Sequence, residues 1–324
     1  KYVTCIDDDT RLDKLWKLQK VVNYFENDEQ IAVLAYPLKV ENPILDIEEF
    51  QALEYIIVGF LKICHSTIRS TIFNSGAFGT YRVSILKEAL MYHNTVFNGD
   101  DLQICLKIHQ LKGKDKTFSE GKHLYNYKVK TADNMVASTI VPKCWFHRSS
   151  IFPCSKHKCD CGNPDLYKQR VKGWFLSKHR FIPQYFKMIL NINGRNGIWV
   201  RLVTLYDLIL ILNEYFAVVY ILVILKTGGL WLIEGFIVAS AINIFTMLMF
   251  NFFILRKNNL SFKMETIVIQ PLIYKIFMIS LYRYCGLIYS LITYRCKKHP
   301  DIQTRLKDEK FNHNVTNMYI VNHC

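Results

Sequence analysis

The chain has 324 residues, a formal charge of +14 and a hydrophobic content of 51%. Lysine and arginine are spread along the front half and beside the apolar segments, which disfavours nucleic acid as a partner. The ten cysteines show no regular framework, which disfavours a secreted disulfide scaffold. Apolar residues concentrate after residue 198, so the composition predicts a soluble front followed by a membrane-like back.

The chain begins with an alternating strand pattern over residues 2–6, and an acidic turn follows directly. Because it begins with Lys1 and directly on a strand, we expect a fragment or processed piece whose neighbouring strands are missing. The turn carries Asp7, Asp8 and Asp9, and adjacent carboxylates raise one another's pKa unless a cation or solvent screens them. Asp7 and Asp9 could therefore bind a hard divalent ion together with a diphosphate. The alternative is a solvated turn whose carboxylates cap a helix.

The next segments predict α/β layering. Apolar residues at helical spacing predict a helix over 12–25, and an apolar run predicts a strand over 32–40 that bends at Pro37. A second helix is predicted over 47–64, with Asp46 at its start.

A glycine-rich turn over 73–82 follows the second helix. Gly76 and Gly79 allow the backbone to approach a ligand closely, and Arg82 supplies a cation.

An acidic pair, Asp100 and Asp101, begins a short amphipathic helix. The two carboxylates could cap this helix at its N-terminus. Alternatively, one of them is a general base whose pKa the acidic neighbour raises toward the working pH.

A Cys/His-rich segment comes next, and its side chains are of types that suit zinc. The spacing differs from the paired Cys-x-x-Cys form of common structural zinc sites, so a metal site is one of two interpretations. The residues are Cys144, His147, Cys154, His157, Cys159 and Cys161.

The back half is predicted to associate with a lipid bilayer. A basic amphipathic helix over 178–192 should lie on the membrane surface. Apolar runs over 198–225 and 230–255 exceed the length of a span and predict a transmembrane hairpin. The segment 264–295 is predicted to be re-entrant, which returns the basic tail to the cytosol.

Two carboxylates within the first predicted span, Asp207 and Glu214, stand seven residues apart and share a helix face. Because carboxylates in hydrocarbon usually face a polar cavity, they are candidates for a channel, and Glu214 is the better one.

The order of these features resembles the processive family 2 membrane glycosyltransferases, a group that includes hyaluronan, chitin and cellulose synthases. The resemblance covers the chain up to residue 290 or so. It rests on Asp7 and Asp9, then Ser75 and Gly76, then Gly99, Asp100 and Asp101, then Gln169, Arg170 and Trp174 before the apolar segments.

The resemblance implies a fold class and a boundary for each part. The fold is the C-terminal half of a GT-A-like α/β glycosyltransferase domain, followed by interfacial and transmembrane α-helices. The partial catalytic domain spans 1–150. The Cys/His insertion, the Gln-Arg motif and the interfacial helix span 151–197. The transmembrane region spans 198–295, and the basic tail spans 296–324. The implied location is a multi-pass protein of the plasma membrane with a cytosolic catalytic domain.

The resemblance also implies a role for each motif. Asp9 would bind Mg²⁺ or Mn²⁺, with Asp7 on the nucleotide or metal side of the same site. Asp101 would be the catalytic base, and Asp100 would modulate it. Ser75 and Gly76 would line the acceptor side, while Gln169, Arg170 and Trp174 would shape the donor diphosphate and acceptor site. The implied reaction is metal-dependent, inverting transfer from a UDP-sugar to a growing polysaccharide that is then extruded.

One motif departs from the family pattern Gln-(Gln/Arg)-x-Arg-Trp. Here Lys172 and an extra Gly173 precede Trp174, which weakens the expectation of processivity. A non-processive transferase that adds one sugar to a lipid or protein is therefore a second hypothesis. A membrane transport or scaffold protein, in which the acidic turns are only caps, is a third.

Overall fold

The structure, a computed structural model, describes residues 1–14, 16–91, 100–114, 124–134, 136–145, 166–190, 197–227, 229–257 and 262–293. The predicted basic tail over 296–324 lies outside these ranges.

The main sheet has four strands: β1 (Tyr2–Ile6), β3 (Ile31–Ala35), β5 (Phe78–Arg82) and β8 (Lys128–Thr131). Their order is β1-β5-β3-β8. Both β1 and β3 run antiparallel to β5, whereas β3 and β8 are parallel. The strands β1, β3 and β8 therefore all end at one edge of the sheet. Every residue of β3 is buried, as its continuous apolar run predicts for a strand covered on both faces.

A second, smaller sheet extends this edge. It contains β2 (Thr10–Leu12), β4 (Leu38–Val40) and β9 (Ala137–Thr139) in the order β2-β9-β4. A separate hairpin pairs β6 (Lys112–Lys114) with β7 (Leu124–Asn126). The strand predicted over 32–40 is thus two strands, one on each side of Pro37, because proline cannot donate to a strand ladder.

Helices cover both faces of the main sheet. Helix α1 (Leu18–Asn27) buries Val21 and Phe25 in one core with β3. Helices α3 (Val83–Leu90) and α4 (Asp100–Ile108) form a second core with Ala32, Val33 and Ala35 of β3. Because the side chains of a strand point to both faces of a sheet, β3 contributes residues to both cores.

Helix α2 (Asp46–Thr67) is the longest helix of the front half. The carboxylate of Glu48 accepts hydrogen bonds from the backbone N–H groups of Ile44 and Leu45, at 3.1 and 3.0 Å, and so caps the helix start. Several polar residues of α2 are buried: Glu48, Gln51, Glu54, Lys62 and Ser66. This helix presents polar groups to the protein interior along most of its length.

The back half is helical. A first π-helix (Lys168–Phe175) leads into α5 (Leu176–Arg180), α6 (Ile182–Leu190), α7 (Ile198–Thr227) and α8 (Leu230–Lys257). Then come α9 (Met264–Ile269), a second π-helix (Gln270–Ile279) and α10 (Ser280–Thr293). A side chain at Gly286 of α10 would place its Cβ 2.8 Å from the Cβ of Phe175, so glycine permits this close helix contact.

The predicted transmembrane region over 198–295 is wrong. Helices α7 and α8 occupy the two predicted spans, yet no helix among the described residues combines the length and the apolar character that crossing a membrane requires. The apolar pattern of α7 is misleading because part of it packs inside the protein: Val200, Leu208 and Ile211 share a core with residues of α6. The predicted fold class and the predicted location as a multi-pass membrane protein are corrected accordingly, whereas the lipid bilayer as a partner stays a prediction. The fold is mixed α/β with small sheets and a helical second half.

The predicted interfacial helix over 178–192 is also wrong. It is two helices, α5 and α6, and the residues Phe181, Tyr185 and Met188 of this segment are fully buried against α7. The segment predicted to be re-entrant is folded on the protein too, because Tyr274 and Tyr282 pack against the first π-helix. Amphipathic spacing predicts that one face of a helix is buried, but it does not predict whether lipid or protein covers that face.

Candidate functional site

The acidic turn connects β1 to β2 at the edge where β1, β3 and β8 end. The backbone N–H of Asp7 donates to the carbonyl of Ala77 at 3.0 Å, and the N–H of Thr10 donates to the carbonyl of Asp7 at 3.0 Å. The first bond places Asp7 beside the end of the Ser75–Gly76 turn that precedes β5, and the second closes the acidic turn. Two motifs far apart in the sequence therefore meet here.

Asp9 is fixed by the smaller sheet. Its Oδ1 atom accepts hydrogen bonds from the hydroxyls of Thr10 and Thr139, at 3.4 and 3.3 Å. Its carbonyl also accepts the N–H of Ile140 at 3.3 Å. The carboxylate is thus held at the end of β9 by two hydroxyl groups.

Asp7 is surrounded by negative charge. Partial desolvation and the neighbouring carboxylates of the turn raise the pKa of Asp7, and the carboxylate of Asp101 adds to the effect. The structure therefore brings Asp101, on α4, into electrostatic range of the acidic turn. The sequence motifs assign these carboxylates to one site, and that assignment stays a prediction.

Asp101 lies in the first turn of α4 and faces Gly76. Its Oδ1 atom accepts the N–H of Leu102 at 2.8 Å, and a Cβ at Gly76 would lie 3.8 Å from the Cβ and Cγ atoms of Asp101. The backbone of the turn thus comes close to van der Waals contact with this carboxylate. The backbone of Asp100 begins α4, and its side chain lies outside the described part of the structure.

The glycine-rich turn differs from the predicted ligand-binding turn in what its residues contact. A Cβ at Gly79 would lie 2.0 Å from the Nδ2 atom of Asn74, so this glycine makes room for a buried amide and not for a ligand. The same Nδ2 atom donates to the hydroxyl of Tyr81 at 3.0 Å. The guanidinium of Arg82 donates to the carbonyls of Ile31, Phe25 and Asp28, so its role is structural.

Arg170 is buried inside the protein and does not face the acidic turn as a free cation. The side chain is 1% exposed, and one guanidinium nitrogen donates to Glu54 at 2.7 Å and lies 3.2 Å from the hydroxyl of Tyr274. That hydroxyl also donates to Glu54, at 2.6 Å. Burial lowers the pKa of Arg170, but the negative charge of Glu54 and the contributions of Tyr274 and Tyr55 together exceed this effect, so the net shift is upward.

Trp174 is held in place by Arg170. The guanidinium carbon lies 3.5 Å from the centroid of the indole ring, which is a cation–π contact. Trp174 remains 42% exposed, so part of its surface is available for stacking on a ring. The neighbouring Gln169 has a buried Oε1 atom without a hydrogen-bond partner among the described residues, which leaves an acceptor available in this region.

No protein-family model and no curated protein matches this chain. The resemblance to family 2 glycosyltransferases is therefore a prediction that rests on the residues themselves.

Tyr55 is a site residue that the motifs did not predict. It lies on α2 next to Glu54 and within electrostatic range of Arg170 and of the acidic turn. Burial is the main cause that raises the pKa of Tyr55 to about 12, with further charge effects from Arg170, Glu54, Asp9 and Asp7. Its phenol is neutral at physiological pH and can donate a hydrogen bond. The only sequence signal was a polar residue on the buried side of a helix.

The acidic turn fits the predicted metal in its chemistry. Among the described residues, no three His, Cys, Asp or Glu side chains come together as a complete metal site. However, Mg²⁺ is commonly bound by one or two carboxylates plus substrate phosphates, and such a site requires no third protein ligand. The repulsion among Asp7, Asp9 and Asp101 is what a divalent cation would relieve. Most of the Cys/His-rich segment, residues 146–165, lies outside the described residues, and Cys144 is buried.

The predicted channel carboxylates, Asp207 and Glu214, were assigned on the basis of a transmembrane span that the described residues do not contain. The carboxylate of Asp207 accepts hydrogen bonds from Lys178 at 3.1 Å and from the hydroxyl of Tyr185 at 2.5 Å. Burial opposes ionisation, yet Lys178 and these bonds together lower the pKa of Asp207. Asp207 therefore fastens α5 and α6 to α7. The side chain of Glu214 lies outside the described part of the structure, and its predicted role is withdrawn with the transmembrane spans.

Proposed function

We propose that this protein is a glycosyltransferase that moves a sugar from a nucleoside diphosphate sugar, such as a UDP-sugar, to a hydroxyl group of a carbohydrate acceptor. One observation carries the proposal. Asp7 lies close enough to Asp9 and to Asp101, which comes from another part of the chain, for both carboxylates to raise its pKa, and the Gly76 backbone lies beside Asp101. Such a cluster provides both a place for a metal–diphosphate and a base for the attacking hydroxyl.

Asp101 is assigned the role of general base. It would take the proton of the acceptor hydroxyl while the hydroxyl oxygen forms a bond to the anomeric carbon of the donor sugar. The bond between that carbon and the diphosphate oxygen breaks at the same time, and the nucleoside diphosphate leaves. Direct in-line attack inverts the configuration at the anomeric carbon.

The remaining residues bind and orient. Asp7 and Asp9 would hold Mg²⁺ or Mn²⁺, which when bound neutralises charge on the leaving diphosphate. Trp174 offers an aromatic surface to a sugar ring, and Tyr55 can donate a hydrogen bond next to the acidic turn. Arg170 acts through Trp174, because its own charge is paired with Glu54.

The test is Asp101→Asn in the intact protein, assayed with labelled UDP-sugars and Mn²⁺. We expect incorporation to fall by a factor of about 100 or more, since the amide cannot accept the proton. Glu29→Gln, at an exposed acid away from the site, is the matched control and should keep the parental rate. Unchanged incorporation by Asp101→Asn would remove Asp101 from the mechanism and, with it, the observation that supports the proposal.

The size of the product separates two forms of the same activity. A long polymer indicates processive synthesis. A single added sugar indicates the non-processive alternative that the altered motif at Lys172 and Gly173 suggests.

A further inference from the structure

Lys62 is a buried lysine to which no motif assigns a role. It lies on α2, about two helical turns beyond Tyr55, and is only 3% exposed. Lysine is rarely buried to this extent without a partner, because removing an ammonium group from water is energetically costly. Its contacts should therefore show what holds it there.

The ammonium group of Lys62 contacts the glycine-rich turn. Its Nζ atom donates to the Oγ atom of Ser75 at 2.6 Å and lies 4.7 Å from the ring centroid of Phe73. The carbonyl of Ser75 in turn accepts the N–H of Phe78 at 3.2 Å, which closes the turn. Lys62 thus holds this turn in place through its hydrogen bond to Ser75.

The anchored turn is the one that lies against the proposed base. Gly76 follows Ser75 directly, and a methyl group on its backbone would be in van der Waals contact with Asp101. Lys62 is therefore connected to the carboxylate of Asp101 through its hydrogen bond to Ser75 and the neighbouring Gly76 backbone. A displacement of the turn would change the space in front of Asp101.

The charge of Lys62 also acts on this carboxylate. Burial lowers the pKa of Lys62 to about 8, while Asp101 and Cys105, both on α4, act in the opposite direction. Burial raises the pKa of Cys105 to about 12, so its thiol is neutral at pH 7 and Asp101 is the charged neighbour. Ser75, Phe73 and Asn74 on the preceding loop carry no charge. Below its own pKa, Lys62 therefore stabilises the carboxylate form of Asp101.

We propose that Lys62 is a positioning residue of this transferase, which holds the Ser75–Gly76 turn against Asp101 so that the acceptor hydroxyl meets the carboxylate within hydrogen-bond reach. The inference rests on the proposed function. It adds an acceptor-side residue from a helix that the sequence motifs do not touch. A purely structural lysine would affect stability but neither the use of acceptor nor the pH profile.

Three variants of the intact protein separate the bond from the charge. Lys62→Met removes both, Ser75→Ala removes the bond and keeps the charge, and Lys62→Arg keeps the charge and a donor. Lys20→Met, at an exposed lysine of α1, is the control. The measurements are kcat and KM for donor and acceptor, the pH–rate profile, Mn²⁺-dependent binding of UDP and the thermal unfolding temperature.

We expect Lys62→Met to lower kcat/KM for the acceptor by about 10- to 100-fold, the range for a misplaced reacting group. UDP binding should stay within a factor of about two of the parent, because the turn lies on the acceptor side and donor binding energy is retained. The acid limb of the pH–rate profile should move to higher pH in Lys62→Met, since Asp101 loses a stabilising cation. Ser75→Ala should lose rate without moving this limb, and Lys62→Arg should recover part of the rate.

The outcomes distinguish the two proposals. A parent protein that transfers no sugar from any UDP-sugar refutes the proposed function and removes this inference with it. An active parent whose Lys62→Met variant keeps both its acceptor kinetics and its acid limb refutes the inference alone. If Lys62→Met fails to fold, Ser75→Ala decides, and an unchanged acceptor kcat/KM in that variant overturns the positioning role.

Discussion

Charged side chains of the candidate site differ in the sign of the charges near them. Arg170 is fully buried and paired with Glu54, so it cannot also be the cation that receives a diphosphate in this structure. Burial, the other carboxylates of the acidic turn and the carboxylate of Asp101 raise the pKa of Asp7. Like charges held close together favour the binding of a cation, whereas an ion pair favours a fixed geometry.

A substitution of Gly79 by alanine tests how tightly the residues around Asn74 are packed. Gly79→Ala should destabilise the protein by about 1–3 kcal/mol, since the new Cβ overlaps the buried Asn74 amide and overpacked cores lose this amount. The Asn74–Tyr81 hydrogen bond should be lost as well. Urea unfolding of the intact protein measures the effect.

The matched control for this prediction is Gly235→Ala in α8, where the new methyl group would have no described neighbouring atom within 4 Å. It should be neutral or stabilise the helix by about 0.5–1 kcal/mol through backbone entropy. Equal effects of the two substitutions would contradict the packing argument at Gly79.

At the level of elements, α2 contributes most of what the sequence motifs left out. Glu54, Tyr55 and Lys62 reach the Arg170 cluster, the acidic turn and the glycine-rich turn, respectively. Their spacing follows the helical repeat, but in the sequence they are scattered polar residues within an apolar pattern. Their roles can be assigned only when the residues that they contact are known, because hydrophobic periodicity predicts which residues are buried and not which residues they contact.

Helices α5 and α6 are fastened to α7 by the carboxylate of Asp207, and the strength of this contact should depend on pH. The folded-state pKa of Asp207 is lowered, so its stabilisation is fully present above the unfolded value of about 4 and is lost as the pH falls through the folded value. Asp207→Asn should therefore cost about 1–3 kcal/mol at pH 7, the range for hydrogen bonds to a charged group. Below the folded pKa the difference from the parent should disappear.

Urea midpoints of both proteins at pH 7 and at several pH values on the acid side of the unfolded pKa check this expectation. A constant difference across the range would mean that Asp207 acts by shape and not by charge. The exposed pair of Arg11 and Glu41 provides a control, since Glu41→Gln should change the free energy of unfolding by about 1 kcal/mol at most.

For the molecule as a whole, the Arg170–Glu54–Tyr274 cluster joins three regions: α2, the first π-helix and the second π-helix. All three side chains are buried, and the aromatic groups around them form one core with the last helices. The helical back half is therefore docked onto the α/β front through a charged contact as well as an apolar one.

Glu54→Gln should destabilise the protein by about 3–5 kcal/mol, because it leaves the buried Arg170 without its carboxylate. The double variant Glu54→Leu with Arg170→Met should recover much of that loss, since an apolar pair avoids both desolvation costs. The double variant should nevertheless have a raised KM for sugar substrates, because Trp174 loses the guanidinium that orients it. Chemical unfolding and initial-rate kinetics measure the two effects, and a double variant as unstable as Glu54→Gln would argue against a buried unpaired charge as the cause.

The sequence predicted the local parts of this molecule better than their surroundings. The strand at residues 2–6, the extended segment predicted over 32–40 and the helix that begins at Asp46 follow from the residue pattern, and Asp101 does lie within electrostatic range of Asp7. The helix predicted over 12–25 begins at Leu18, because Thr10–Leu12 pair with β9, a partner more than a hundred residues away. The transmembrane prediction fails for a related reason, since apolarity alone does not tell lipid from protein as the covering partner.

The long sequence separations within the site bear on how the chain folds. Asp9 bonds to Thr139 across 130 positions, Arg170 to Glu54 across 116, and Tyr274 to Glu54 across 220. Non-local contacts of this kind slow folding, because loop-closure entropy is lost before the contacts form. During synthesis on a ribosome, the acidic turn would leave the exit tunnel long before β9, and Glu54 would leave it long before Arg170 and Tyr274. Until these partners are available the acids remain hydrated, so the geometry of the candidate site forms late in folding.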